Sequence, residues 1–181
     1  MQTQSTANIV IPFYSPYGTT HKLARAVNEG AAEVPGSTVR LRRIPEFPSA
    51  EEGMSGQDPY DEAQDEMADI PRIEHDDLRW ADSIIWSTPT PFGNMAAQVK
   101  QFIDTLDRHP RRHVVRGRVM TTEGVGGSPY GPSTMPREES DVEAPTPEEI
   151  ETARSLSRRV ARVAARLKAP AVDGADAPTL A

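Results

Sequence analysis

Three strand-like runs, the first and third followed by a turn and then by an amphipathic segment, set the order of the first two thirds of the chain. The first, Ile9-Val10-Ile11-Pro12-Phe13-Tyr14, is apolar without alternation, the pattern of a strand buried on both faces of a parallel sheet. It breaks into Ser15-Pro16-Tyr17-Gly18-Thr19-Thr20, and residues 19–33 then place Leu23, Ala26, Val27, Gly30 and Ala31 at helical spacing until Pro35-Gly36 stops them. Residues 38–44 alternate instead, with Val39, Leu41 and Arg43 on one face, which predicts an edge strand closed by Pro45 and Pro48. Residues 46–75 are acidic and rich in turn formers and predict a surface excursion with one short helix over 60–67. A helical turn over 76–81 leads to the third run, residues 83–88. It ends in Thr88-Pro89-Thr90-Pro91-Phe92-Gly93-Asn94, and the helix predicted over 95–106 puts Met95, Val99, Phe102, Ile103 and Leu106 on one side.

Residues 113–122 predict a fourth strand interrupted at Gly117, followed by an aperiodic loop. Thr146-Pro147-Glu148-Glu149 is a capping box with proline at the first helical position, and the helix it opens runs to Leu167. Its inward face is predicted to carry Ile150, Ala153, Leu156, Val160, Val163, Ala164 and Leu167, with acidic residues leading and basic residues trailing as the helix dipole favours. Strands alternating with helices predict an α/β domain over residues 1–168, with residues 169–181 a disordered tail.

Composition narrows the function. A chain of 181 residues suffices for one core, and a net charge of −7 argues against nucleic acid or an anionic membrane as partner. No cysteine is present, so thiolate chemistry is excluded. No apolar run reaches membrane-spanning length and residues 1–8 lack the features of a leader, so a cytoplasmic protein is expected. The carboxylates between Asp58 and Asp69 fit no metal-loop spacing and read as a solvated face, so no metal is expected. The arginines of residues 108–118 read as a soluble turn, with the extra phosphate of NADPH or a polyanion as the alternative. His21, in the first turn of its helix, reads as a solvated side chain.

The two turns hold the candidate chemistry. Ser15, Thr19 and Thr20 supply hydroxyls, Gly18 permits close backbone approach, and the following helix offers its first free N–H groups. Without a basic residue in the turn, such a loop suits a single phosphate monoester held by neutral donors better than a nucleoside triphosphate. An ordinary βα connection with Ser and Thr caps is the alternative. The second turn adds glycine, hydroxyls and an aromatic at the end of the next strand.

These blocks, in this order, resemble the WrbA-type NAD(P)H:quinone oxidoreductases of the flavodoxin superfamily. The resemblance spans residues 9–167 and is carried by Tyr14-Ser15-Pro16-Tyr17-Gly18, Ala24-Arg25-Ala26-Val27, Asp65-Glu66-Met67-Ala68-Asp69-Ile70-Pro71, Trp80-Ala81-Asp82, Thr88-Pro89-Thr90-Pro91-Phe92-Gly93-Asn94-Met95, Gln98 and Gly126-Gly127-Ser128-Pro129-Tyr130-Gly131. It implies that Ser15, Pro16, Tyr17, Gly18, Thr19 and Thr20 cradle the phosphate of FMN and that Thr90, Pro91 and Phe92 lie along its ribityl chain and ring. Tyr17 would stand near the NAD(P)H donor.

The chain departs from the family in two places. Pro91 stands where the family normally has arginine, and only Glu123-Gly124-Val125 separates Thr122 from the Gly-Gly-Ser-Pro-Tyr-Gly block. A helix and a strand need about twenty residues or more, so one βα unit, with the third flavin loop, is missing. The expected fold is therefore a flavodoxin-like open parallel sheet of four strands, order 2-1-3-4, with helices on both faces and a homo-oligomer covering the exposed edge. The expected function is FMN-dependent electron transfer from NAD(P)H to a quinone, with no catalytic side chain required. The alternatives are a degenerate flavodoxin-like domain that binds FMN weakly or not at all and serves as an interaction module, and a flavodoxin-type electron carrier.

Overall fold

The computed structural model describes residues 7–107, 133–134 and 145–168. The chain runs β1 (Ala7–Phe13), α1 (Thr19–Ala32), β2 (Ser37–Arg43), α2 (Pro48–Met54), α3 (Asp58–Glu66), α4 (His75–Trp80), β3 (Ser83–Ile84), a 3-10 turn (Pro91–Gly93), α5 (Ala97–Asp107) and α6 (Pro147–Lys168). The sheet is parallel in the order β2-β1-β3, so β1 is central, and all of its residues but Asn8 are buried. β3 is short as a strand, yet its bonding to β1 continues: Ile85 N donates to Val10 O, Ser87 N to Pro12 O, and Tyr14 N to Ser87 O. The predicted fourth strand and the tail lie outside the described residues.

Alternation along β1 divides the core. Ile9, Ile11 and Phe13 face Leu23, Ala26, Val27, Ala153, Val160 and Ala161 of α1 and α6, while Val10 and Tyr14 face Leu78, Val99 and Leu106 of α4 and α5. Helices thus cover both faces, as the βα alternation requires.

Three expectations are corrected. The acidic stretch is more than a surface excursion: α2 precedes α3, and Tyr60, Ala63 and Met67 are buried. Met95 precedes α5 and is exposed, while Ala96 takes the buried place. On α6, Val163 and Leu167 face outward, and Ser157 and Ala161 are buried instead. The reason is the close approach of α6 to Gly30, which only a stripe of small residues allows. The capping box forms as expected, with Glu149 N donating to Thr146 Oγ1 at 3.3 Å and Thr146 N to Glu149 Oε2 at 2.8 Å.

Candidate functional site

Because β1 and β3 are parallel neighbours, the turns that follow them leave the sheet at the same rim. The last shared bond, Tyr14 N to Ser87 O at 3.1 Å, stands at the entrance to both. The topology therefore brings the two predicted halves of the site to one end of the molecule.

Within the first turn, Gly18 adopts φ +84°, a left-handed conformation that glycine accepts without strain, and serves as the N-cap of α1. It makes no side-chain cap, so the helix keeps its first amides open. His21 N donates to Ser15 Oγ at 3.2 Å, whereas the amides of Thr19 and Thr20 have no partner among the described residues. Two unpaired N–H groups on the positive end of a 14-residue helix suit a phosphate monoester. Ser15 is buried, so its oxygen serves the helix first. Gln64 of α3 braces the turn from outside, its amide donating to Pro16 O at 3.1 Å and Ser15 O at 3.4 Å. Tyr17 is about half exposed and stands edge-on to Tyr60 at 6.3 Å between ring centroids.

The second turn is tied at its base by Thr88, whose Oγ1 accepts from Ala96 N at 3.2 Å. Thr90, Pro91 and Phe92 are exposed. Phe92 has φ 54°, ψ 27°, a conformation uncommon for a residue with a side chain, and its ring is fully exposed. An aromatic ring presented to solvent on a strained backbone has no packing reason to be there, and such strain clusters at ligand-binding sites.

His21 is not the solvated residue that its position in the sequence predicts. It is buried, its ring stacks on Phe13 at 5.4 Å with 20° between planes, and neither ring nitrogen has a hydrogen-bond partner. Burial, and secondarily the Arg25 charge, holds its pKa below the ordinary histidine value. The folded state then binds fewer protons than the unfolded state, so stability is complete above the unfolded histidine pKa and falls as the pH drops toward the lowered folded value. His21→Phe keeps the stack and removes the titration. Urea unfolding across this acid range should show a flatter pH dependence for the variant than for the wild type, and equal slopes would contradict the buried placement.

Several side chains at the rim were not among the sequence-predicted site residues. Tyr14, Arg43, Glu46, Glu51, Gln64 and Arg72 line, together with the predicted Ser15, a small cleft between the ends of β1 and β2. Arg43, the last residue of β2, has its Nε buried without a partner. No spacing rule links β2 to the first turn, so only the register of the sheet, which pairs Phe13 with Arg43, could have pointed to it.

A doubly wound parallel sheet with an open helix N-terminus at the end of its central strand defines a flavodoxin-like protein. Consistent with that class, the solved WrbA-like flavodoxin from Agrobacterium tumefaciens superposes with a TM-score of 0.53 at 23% identity, covering 89% of this chain and 99% of its own. The chain belongs to the NADPH-dependent FMN reductase family, whose pattern matches residues 14–138. Among individual relatives, a protein of Geotalea uraniireducens named NAD(P)H dehydrogenase (quinone) is 32% identical over 204 residues, spanning 88% of this chain and 98% of its own. A protein of the same name from Geobacter sulfurreducens is 33% identical over 205 residues, again 88% and 98%. Since 88% of 181 residues is about 159, about 45 of the 204 aligned positions in the first comparison are unpaired. The chain is thus shorter than that relative, the direction that the short Glu123-Gly124-Val125 connection predicts.

Proposed function

We propose that this protein is an FMN-dependent oxidoreductase that passes electrons from NAD(P)H to a quinone. The observation that carries the reading is the meeting of two turns at one rim, the first with two open helix amides and the second with an exposed aromatic. Family membership and the names of the relatives support the same chemistry. When bound, FMN supplies hydride acceptance and two-electron transfer; the protein supplies binding, orientation and shielding. The amides and hydroxyls of Thr19 and Thr20 hold the phosphate, Gly18 lets the backbone approach, and Ser15 fixes the helix start. Pro16 and Tyr17 wall the entrance, with Tyr17 near the nicotinamide, and Thr90, Pro91 and Phe92 lie along the ribityl chain and ring.

The same reading assigns residues 1–168 to one domain and places the protein in the cytoplasm as a homo-oligomer, its exposed Tyr17, Phe92 and Met95 giving the rim an apolar character. Among the described residues no helix is long and apolar enough to cross a membrane, and no group of three or more His, Asp or Glu could hold a metal ion.

Titration of the purified protein with FMN, followed by flavin fluorescence, should reach saturation, and the loaded protein should oxidise NADH with a benzoquinone. Failure to bind FMN removes the reading. FMN binding without turnover supports instead a flavodoxin-type electron carrier. Ser15→Ala strips His21 N of its acceptor and should weaken FMN binding about fivefold, the equivalent of about 1 kcal/mol for one lost hydrogen bond. Unchanged affinity in that titration would place the phosphate elsewhere.

A further inference from the structure

Glu46 lies between β2 and α2, outside both turns, yet its carboxylate is bonded to residues at the edge of each. Oε2 accepts from the Tyr14 hydroxyl, and Oε1 accepts from Gln98 Nε2 at 2.5 Å and from Phe47 N at 2.8 Å. Tyr14 is the residue immediately before Ser15, and its own amide bonds Ser87 at the entrance to the second turn. Gln98 stands in the first turn of α5, the helix into which the second turn leads. One carboxylate thus ties the entry of the first turn to the exit of the second.

We propose that Glu46 is a positioning residue that sets the spacing of the two flavin turns through Tyr14 and Gln98. This inference rests on the functional reading above and goes beyond it by naming what holds the two halves of the site in register.

An ionised carboxylate accepts only, and here both oxygens are used by donors. Glutamine at position 46 would offer one acceptor oxygen and turn an NH2 group toward either the Tyr14 hydroxyl or the Gln98 amide. The Tyr14 side chain is buried, so it has little water to bond instead. Burial first, and then the bond to Glu46, push the Tyr14 hydroxyl well above the ordinary tyrosine pKa, so it stays a donor at any working pH. The short chain gives this tie added weight. With one βα unit absent, the spacing of the turns depends on the connections that remain, and this one is built from residues 14, 46 and 98, all before the shortened junction.

Two measurements on the full chain test the proposal. In the first, without FMN, amide hydrogen exchange is compared between the wild type and Glu46→Gln. Exchange should quicken in both turns, residues 14–20 and 88–96, and stay unchanged where α1 meets α6. Faster exchange confined to residues 44–54 would overturn the proposal. The second is FMN affinity. Glu46→Gln should weaken binding at least about tenfold, as expected for a lost charge-assisted bond. The exchanged pair Glu46→Gln with Gln98→Glu keeps the net charge and restores a carboxylate facing an amide, but leaves Phe47 N without its acceptor, and should recover about half of the loss on a logarithmic scale. A role in stability alone would move the melting temperature but would not give that recovery. Wild-type affinity in Glu46→Gln, or an exchanged pair that binds no better than the single variant, overturns the proposal. A wild type that does not bind FMN defeats the functional reading alone, and the exchange measurement then decides the role of Glu46.

Discussion

Replacing Phe13 with alanine should lower the unfolding free energy by about 3–5 kcal/mol, as measured by urea unfolding of the full chain. Phe13 is the last residue of the central strand and is fully buried. Its backbone pairs with Arg43 on one side and Ser87 on the other, and its ring packs in the core shared by α1 and α6 with the His21 ring stacked on it. Truncation would leave a cavity beside an imidazole whose two nitrogens already lack partners, so the wall opposite has little means of closing it. Phe13→Leu keeps most of the volume and should cost about 1.5 kcal/mol or less. Domains of ordinary stability unfold with about 5–15 kcal/mol, so the alanine variant would sit near the margin and lose the first turn along with the strand that feeds it. A loss of less than about 1 kcal/mol would mean that the ring is not packed at the head of the turn.

Much of this arrangement was legible in the sequence because its causes are local. Continuous apolar runs marked β1 and β3, helical periodicity placed α1 to within a residue of its ends, and Thr146 with Glu149 announced the start of α6. Both turns follow from those strands, since neighbouring parallel strands deliver their ends to the same rim. What escaped has non-local causes. Glu46 reaches partners 32 and 52 residues away, and no spacing encodes such bonds. His21 reads as polar and terminal, yet the stack on Phe13 buries it. On α6 the periodicity identified a face but not its centre, because Ser157, a polar residue, occupies the middle of the contact while Val163 and Leu167 are turned outward. The size of a side chain was a poor guide where the neighbouring helix comes close.

That close approach should make Gly30 the least replaceable position on α1. Gly30→Val is expected to cost about 3 kcal/mol, and Gly30→Ala about 1–2 kcal/mol, in unfolding free energy. In an exposed helix the alanine change would stabilise by about 1 kcal/mol, so the sign itself distinguishes a packed site from an open one. A Cβ at residue 30 would lie 2.6 Å from Arg154 Cα and would also collide with the Arg154 carbonyl oxygen and Ser157 Oγ. The hydroxyl can be removed but the backbone cannot. Ser157→Ala in the Gly30→Ala background should therefore recover only part of the loss. The ion pairs across this contact, Arg154 with Glu29 and Arg158 with Glu33, are screened by solvent and too weak to hold the helices together against the overlap. For a chain of this size each kcal/mol moves the melting temperature by about 2–4 °C, so calorimetry should place Gly30→Val well below the wild type. A melting temperature within about 1 °C of wild type would show that the helices have room to separate. The consequence reaches the site, because α1 carries the open amides of Thr19 and Thr20 at its other end: a helix that tilts away from α6 takes the phosphate donors with it.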